Sequence, residues 1–337
     1  MQDRLRRLFD AYIAVDWSAR NMPGSVTPSR DALWVGERLA SGIAESDVPG
    51  ETYWRTRQSC IMYVRSRLLH HASLGRRVFL GFDFPYGYPA GYAASLGLHG
   101  DAPPWRRIWN ELSRLIVDNP DNSNNRFTVA ATLNANCGDP IPGPLWGCPA
   151  LTSLPTLAST SPGYPYPVRE GLTLERLRWV DRQERGMQPI WKLLGIGSVG
   201  GQALVGIPAL RRLRDDPALI DISLVWPFET GFTSLPIPDQ GPFILHTEIW
   251  PGMVSDRLDP SIAIRDQAQV RAVVHWLDDL DNAGKLGKLF SAPANLSSEA
   301  LNACLEEEGW MFGGGARLDL FICDRQLHCT HTAGRRK

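Results

Sequence analysis

The sequence predicts an α/β protein built on a mixed sheet. Three observations carry this. YIAVDWS (12–18) and VFLGFDFPYGYP (78–89) each run a short apolar strand into a single aspartate, Asp16 and Asp83. Between them lie a second strand-like run and a helical stretch, the order of a hairpin followed by a crossover to a parallel strand. Further on, a glycine-rich turn opens an apolar helix, and two more strand-like runs follow it.

Residues 11–16 read as the first strand and 32–38 (ALWVGER) as its hairpin partner. The loop between them holds Asn21, Pro23, Gly24 and Pro28, all turn formers. Residues 51–74 read as one helix, with Tyr53, Ile61, Val64, Leu68 and Leu69 as its apolar side. Residues 78–83 are the second aspartate-ended strand. Residues 105–117 read as helix, and 126–134 (RFTVAATLN) fit helix or strand. Residues 138–167, rich in Pro and Gly, read as a long packed loop, a kind of segment that often carries function. Residues 173–185 are charged and read as helical. A short strand at 190–194 (IWKLL) leads through GIGSVGG (195–201) into a helix reaching about Leu213. Strands at 219–226 and 243–249 and helices at 266–283 and 298–308 complete the pattern. LDLFIC (318–323) is an edge strand or part of a loose tail. The whole reads as one α/β domain over 1–315 with a large Pro/Gly/Trp-rich insertion at about 90–190. Residues 316–337 form an extension.

Composition sets limits on function. With 337 residues, 43% hydrophobic and 21% charged, the chain has the make-up of a soluble globular protein with a large core. A net charge of -1 gives no global argument for a nucleic-acid surface, which normally shows a basic excess. Local basic groups exist at Arg4, Arg6 and Arg7, Arg76 and Arg77, Arg106 and Arg107, and Arg211, Arg212 and Arg214. They read first as solvated helix faces and second as a phosphate-binding rim. Six cysteines form no CxxC pair, and Cys323, His328, Cys329 and His331 fit no common zinc spacing. No apolar run reaches the length of a membrane span, and with no apolar leader a cytoplasmic location is expected.

The chemistry lies in the strand-end acids. A carboxylate is costly to bury, and the carboxyl edge of an α/β sheet is where clefts open. Asp16, Asp83 and Glu248 (in FILHTEIWP) each end an apolar strand. Gathered together they would repel one another unless a hard cation lay between them, and Mg²⁺ or Mn²⁺ prefers such oxygen ligands. Two such ions about 3.5–4 Å apart would suit phosphodiester hydrolysis. Taken singly, each acid is better explained as a helix cap or an arginine partner; the metal reading rests on the acids together. Asp266, in RDQAQVRAVVHWL, is either an N-cap or a fourth acid of the site; Asp278, Asp279 and Asp281 read as solvated. Ser198, Gly200 and Gly201 could present backbone amides to a phosphate, with Lys192 and Gln202 nearby. The turn lacks the Lys and Ser/Thr of a Walker loop and the GxGxxG pattern, so tight helix packing, with Ser198 as N-cap, explains it as well. His246, two residues before Glu248, reads as a core histidine, and His70 and His71 as surface or partly packed. There is no GxSxG or HExxH.

The order YIAVDWS, GFDFPYG, TEIWP resembles the domain-of-unknown-function 429 group, a nuclease-like branch of the ribonuclease H-like superfamily. WKLLGIGSVGGQALVGIP, VWPFETGF and EEEGWMFG add to the likeness, which spans roughly residues 11–313. The resemblance implies a ribonuclease H-like sheet flanked by helices. It carries over Asp16, Asp83 and Glu248 as metal-site acids, and Asp266 by a looser motif. The expected activity is hydrolysis of a phosphodiester in nucleic acid or a nucleotide with Mg²⁺ or Mn²⁺. The alternatives are an actin-like nucleotide phosphotransferase and a non-catalytic binding protein with a degraded site.

Overall fold

The computed structural model describes residues 7–43, 48–138, 142–149, 152, 154–238 and 240–316. The tail with LDLFIC, Cys323, His328, Cys329 and His331 lies outside the described residues, as do Arg4 and Arg6.

The first strand, β1 (Ala11–Asp16), is followed by β2 (Leu33–Leu39) and β3 (Glu51–Trp54), which form an antiparallel meander. The stretch expected as one helix from residue 51 is thus divided. Glu51–Trp54 pairs with β2, and helix α1 (Arg57–Ser73) starts only after Thr56, whose hydroxyl accepts from the Ser59 amide. Strand β4 (Arg77–Phe82) then returns parallel to β1. Three helices follow: α2 (Tyr92–Ser95), α3 (Pro104–Leu115) and α4 (Arg126–Asn136). The ambiguous 126–134 segment is therefore helical.

The segment at about 90–190, expected as an insertion, is less regular than the sequence suggests. The expected helix at 173–185 is a two-residue pairing of β5 (Tyr166–Pro167) with β6 (Thr173–Leu174), then a single 3-10 turn at Val180–Arg182. The expected strand at 190–194 is a turn, with one bridge from Trp146 to Lys192. Both segments are held by tertiary contacts instead. Trp191 is fully buried, with Tyr88 tilted against it and Tyr92 meeting it edge-on, and its indole donates to the Glu175 carbonyl.

Helix α5 (Val199–Arg214) leads to β7 (Ser223–Val225) and β8 (Phe243–Glu248). Helix α6 (Arg265–Asn282) and α7 (Ser298–Ala303) follow, the latter continued by a π turn over Cys304–Glu308. The result is an α/β protein with a six-strand mixed sheet in the order β3-β2-β1-β4-β8-β7. From β1 through β4 and β8 to β7 the neighbours are parallel.

Strand alternation divides the core in two. Ile13, Val15, Leu80 and Phe82 face α1, α3 and α5, while Tyr12, Ala14, Phe79 and Leu245 face α6. Helix α6 lies close on β2, where a Cβ on Gly36 would sit 2.8 Å from the Val270 carbonyl oxygen. Its end is fixed by acids that read as solvated in the sequence. Asp278 holds Arg7, Arg38 and Ser41, and Asp281 accepts from the Leu8 and Phe9 amides and the Tyr12 hydroxyl. Both are buried; only Asp279 is solvated as read. His71, too, is fully buried, against Glu37. No helix among the described residues is long and apolar enough to cross a membrane.

Candidate functional site

The carboxyl edge of the parallel strands brings Asp16 and Asp83 side by side. Val15 pairs with Phe82, so the next position on each strand places the two aspartates in register, on backbones about 5 Å apart. Alternation sends both side chains to the α6 face, the face of Ala14 and of Phe79. The Asp83 amide donates to the Val15 carbonyl at 3.2 Å, and its Oδ1 accepts from the Trp17 amide at 2.7 Å. Asp83 thereby joins the two strand ends where their regular pairing stops.

Both aspartates are half-buried, and their surroundings oppose their charge. Burial, then Asp83, then Asp266 and Asp31 push Asp16 well above the usual carboxylate range. Burial pushes Asp83 up to about 7, with the Trp17 amide pulling the other way and Asp266 adding to the rise. Asp266 stands in the first turn of α6 and faces the pair across the same face of the sheet. Burial raises its pKa as well. Its Oδ2 accepts from the Asp31 amide at 2.6 Å, so it also pins the loop entering β2. Asp31, which no sequence pattern singled out, sits there at a φ of 55°.

Glu248 does not join them. It pairs in register with Phe82, on the opposite face of the sheet from Asp16 and Asp83. There it is fully engaged. Arg178 grips it with two bonds of 2.6 and 2.7 Å, and the Tyr86 amide donates to Oε2 at 3.0 Å. Arg178 also holds Asp181 and the Glu308 carbonyl, so this buried network ties the insertion and the C-terminal π turn to the sheet end. Arg178 gave no signal in the sequence, being one of several charges in a polar stretch. The neighbouring His246 is a core histidine, fully buried, with burial lowering its pKa to about 3.

The glycine turn serves packing. A Cβ on Gly200 would lie 1.9 Å from the Ile190 carbonyl oxygen, and one on Gly201 2.7 Å from that of Leu193. The amides of Gly200 and Gly201 donate to the carbonyls of Lys192 and Ser198, so neither offers a free donor to a phosphate. Ser198 stands at the N-cap position, yet its side chain makes no capping bond. Lys192 reaches back to the Ile196 carbonyl, and Gln202 donates to the Trp17 carbonyl beside the aspartates. The described basic groups are largely ion-paired, as in Arg7–Asp278, Arg77–Asp10, Arg106–Asp215 and Arg214–Glu229.

Among the described residues no three His, Cys, Asp or Glu side chains assemble into a metal-binding group. A closed three-carboxylate cage is therefore not what the described chain builds. Two adjacent, uncompensated aspartates do fit a hard cation of the Mg²⁺ type, which commonly takes one or two protein carboxylates and completes its shell with water and substrate phosphate. No protein-family model, curated protein or solved structure matches this chain.

Proposed function

We propose that this protein is a metal-dependent phosphodiesterase of the ribonuclease H-like superfamily, in its domain-of-unknown-function 429 branch, acting on nucleic acid or a nucleotide. One observation carries the reading: Asp16 and Asp83 lie in register on adjacent parallel strand ends, half-buried, with their charges uncompensated. The sheet order β3-β2-β1-β4, antiparallel and then parallel, is compatible with the ribonuclease H-like order. Among the described residues four cysteines are free and buried, which agrees with a reducing, cytoplasmic setting.

In this reading Asp16 and Asp83 hold Mg²⁺ or Mn²⁺. The ion, when bound, polarises a phosphoryl oxygen and makes a bound water more acidic. Asp83 keeps its orientation through the Trp17 amide. Asp266 orients the attacking water from the α6 side. Glu248 holds the exit loop of Asp83 through the Tyr86 amide, while the Tyr86 hydroxyl donates to the Thr247 carbonyl.

The test is a calorimetric titration with Mn²⁺, paired with hydrolysis of bis(p-nitrophenyl) phosphate. The wild-type chain should bind Mn²⁺ and hydrolyse the ester. Asp16→Asn and Asp83→Asn should lose both while remaining folded. Absence of Mn²⁺ binding in the wild type, or hydrolysis that survives Asp16→Asn, would overturn the proposal.

A further inference from the structure

We propose that Arg126 and the first turn of α5 form a phosphate-binding site next to the aspartates, which takes a second phosphate of the same substrate. Only the word substrate rests on the phosphodiesterase reading; the site itself rests on different residues.

Arg126 is 6% exposed, and its Nε has no acceptor among the described residues. The acceptors of its Nη1 are the side-chain oxygens of Asn21 and Asn124, both neutral. The carboxylate whose charge acts on it is already committed: Asp118 pairs with Arg57, whose Nε donates to it at 2.7 Å. Two arginines thus share one acid, and the surplus positive charge falls on Arg126. Burial, then Arg57, lowers the Arg126 pKa to about 10, and the group stays charged at neutral pH. A buried cation with only neutral partners is costly, and an anion relieves that cost.

The second observation is where this charge sits. Arg126 Nε lies 3.6 Å from the position a Cβ on Gly201 would take, against the first turn of α5. That helix has 16 residues, carries no acid in its first turn, and leaves its Ser198 hydroxyl out of capping. Ser198 and Gly201, three residues apart, share one face of the helix. The positive end of the helix dipole and the Arg126 guanidinium therefore act on the same spot. With the Gly200 and Gly201 amides already bonded, the recognition falls to the guanidinium, the Ser198 hydroxyl and the dipole.

Residues 17–21 connect this spot to the aspartates and are held in place along their length. Gln202 donates to the Trp17 carbonyl, Arg57 to the carbonyls of Ser18 and Arg20, and Arg126 to Asn21. Five residues beyond Asp16 span at most about 18 Å, within reach of a short oligonucleotide.

The experiment is a calorimetric titration of the full chain with inorganic pyrophosphate at low salt, without divalent metal. The wild type should bind saturably. Arg126→Gln should weaken binding at least tenfold. Ser198→Asp places a favourable N-cap carboxylate where the anion would lie, so it should keep the melting temperature and lose binding to the same degree. This second variant decides the matter even if Arg126→Gln fails to fold. No binding by the wild type, or unchanged binding by Ser198→Asp, overturns the site. Pyrophosphate binding without Mn²⁺ binding would leave the phosphate site standing and remove the phosphodiesterase reading.

Discussion

Burial raises the pKa of both Asp16 and Asp83, helped by Asp83 at the first and by Asp266 at the second, and a titration follows from this. In the unfolded chain an aspartate titrates near 3.8, whereas folded, metal-free Asp83 titrates at about 7. Between those values the folded state binds more protons than the unfolded one, so stability falls as pH rises. The stabilising contribution is complete below about pH 4 and lost as pH passes about 7. Relative to Asp83→Asn, the wild type should lose about 2–4 kcal/mol across this window in urea unfolding with EDTA. A difference that stays flat or rises with pH would show the charge to be compensated in a way the structure does not contain. At the same scale, Asp16→Asn should leave the metal-free melting temperature unchanged or raised, because it removes a like charge. The presence of this pair was readable in the sequence, since each aspartate ends an apolar run. Asp31 and Arg126 were not readable, because their neighbours, Asp266 and Gly201, come from distant parts of the chain.

Among the elements, β8 shows how far pattern reading reaches. Its span and its terminal acid were legible, but the face onto which Glu248 projects was not. Alternation gives the relative faces within one strand; the absolute face follows from register with β4, where Phe82 pairs with Glu248 and Val15 with Phe82. A one-residue difference in register exchanges the two faces, and that difference separates Glu248 from Asp16 and Asp83. Arg178→Met should therefore destabilise the protein by about 3–5 kcal/mol in thermal unfolding, since it leaves two buried carboxylates unpaired. Glu248→Gln should cost less and leave Mn²⁺ affinity unchanged in the folded protein; a lost Mn²⁺ site would return Glu248 to the metal. The helix expected from residue 51 failed for a similar reason. Tyr53 and Trp54 suit an edge strand as well as a helix, and only pairing with β2 decides between them.

Across the whole molecule, the insertion is part of the main core. Leu145, Leu157, Tyr166, Leu174 and Trp191 belong to the same buried cluster as Ile13, Val15, Leu80 and Phe82. Arg178, from the insertion, is bonded to the end of β8. The insertion should therefore unfold with the sheet, giving one calorimetric transition; a separate low-temperature transition would show it to be an independent unit. The sequence by itself determined the α/β class, five of the six sheet strands, the long helices and the two strand-end aspartates. These depend on local periodicity and on breakers such as Gly and Pro. Only the tertiary structure decided that Asp16, Asp83 and Asp266 share a face, that Glu248 serves Arg178, and that the insertion folds through Trp and Tyr packing with little regular structure. Register and burial are set by contacts between residues far apart in the chain, and local pattern carries no information about them.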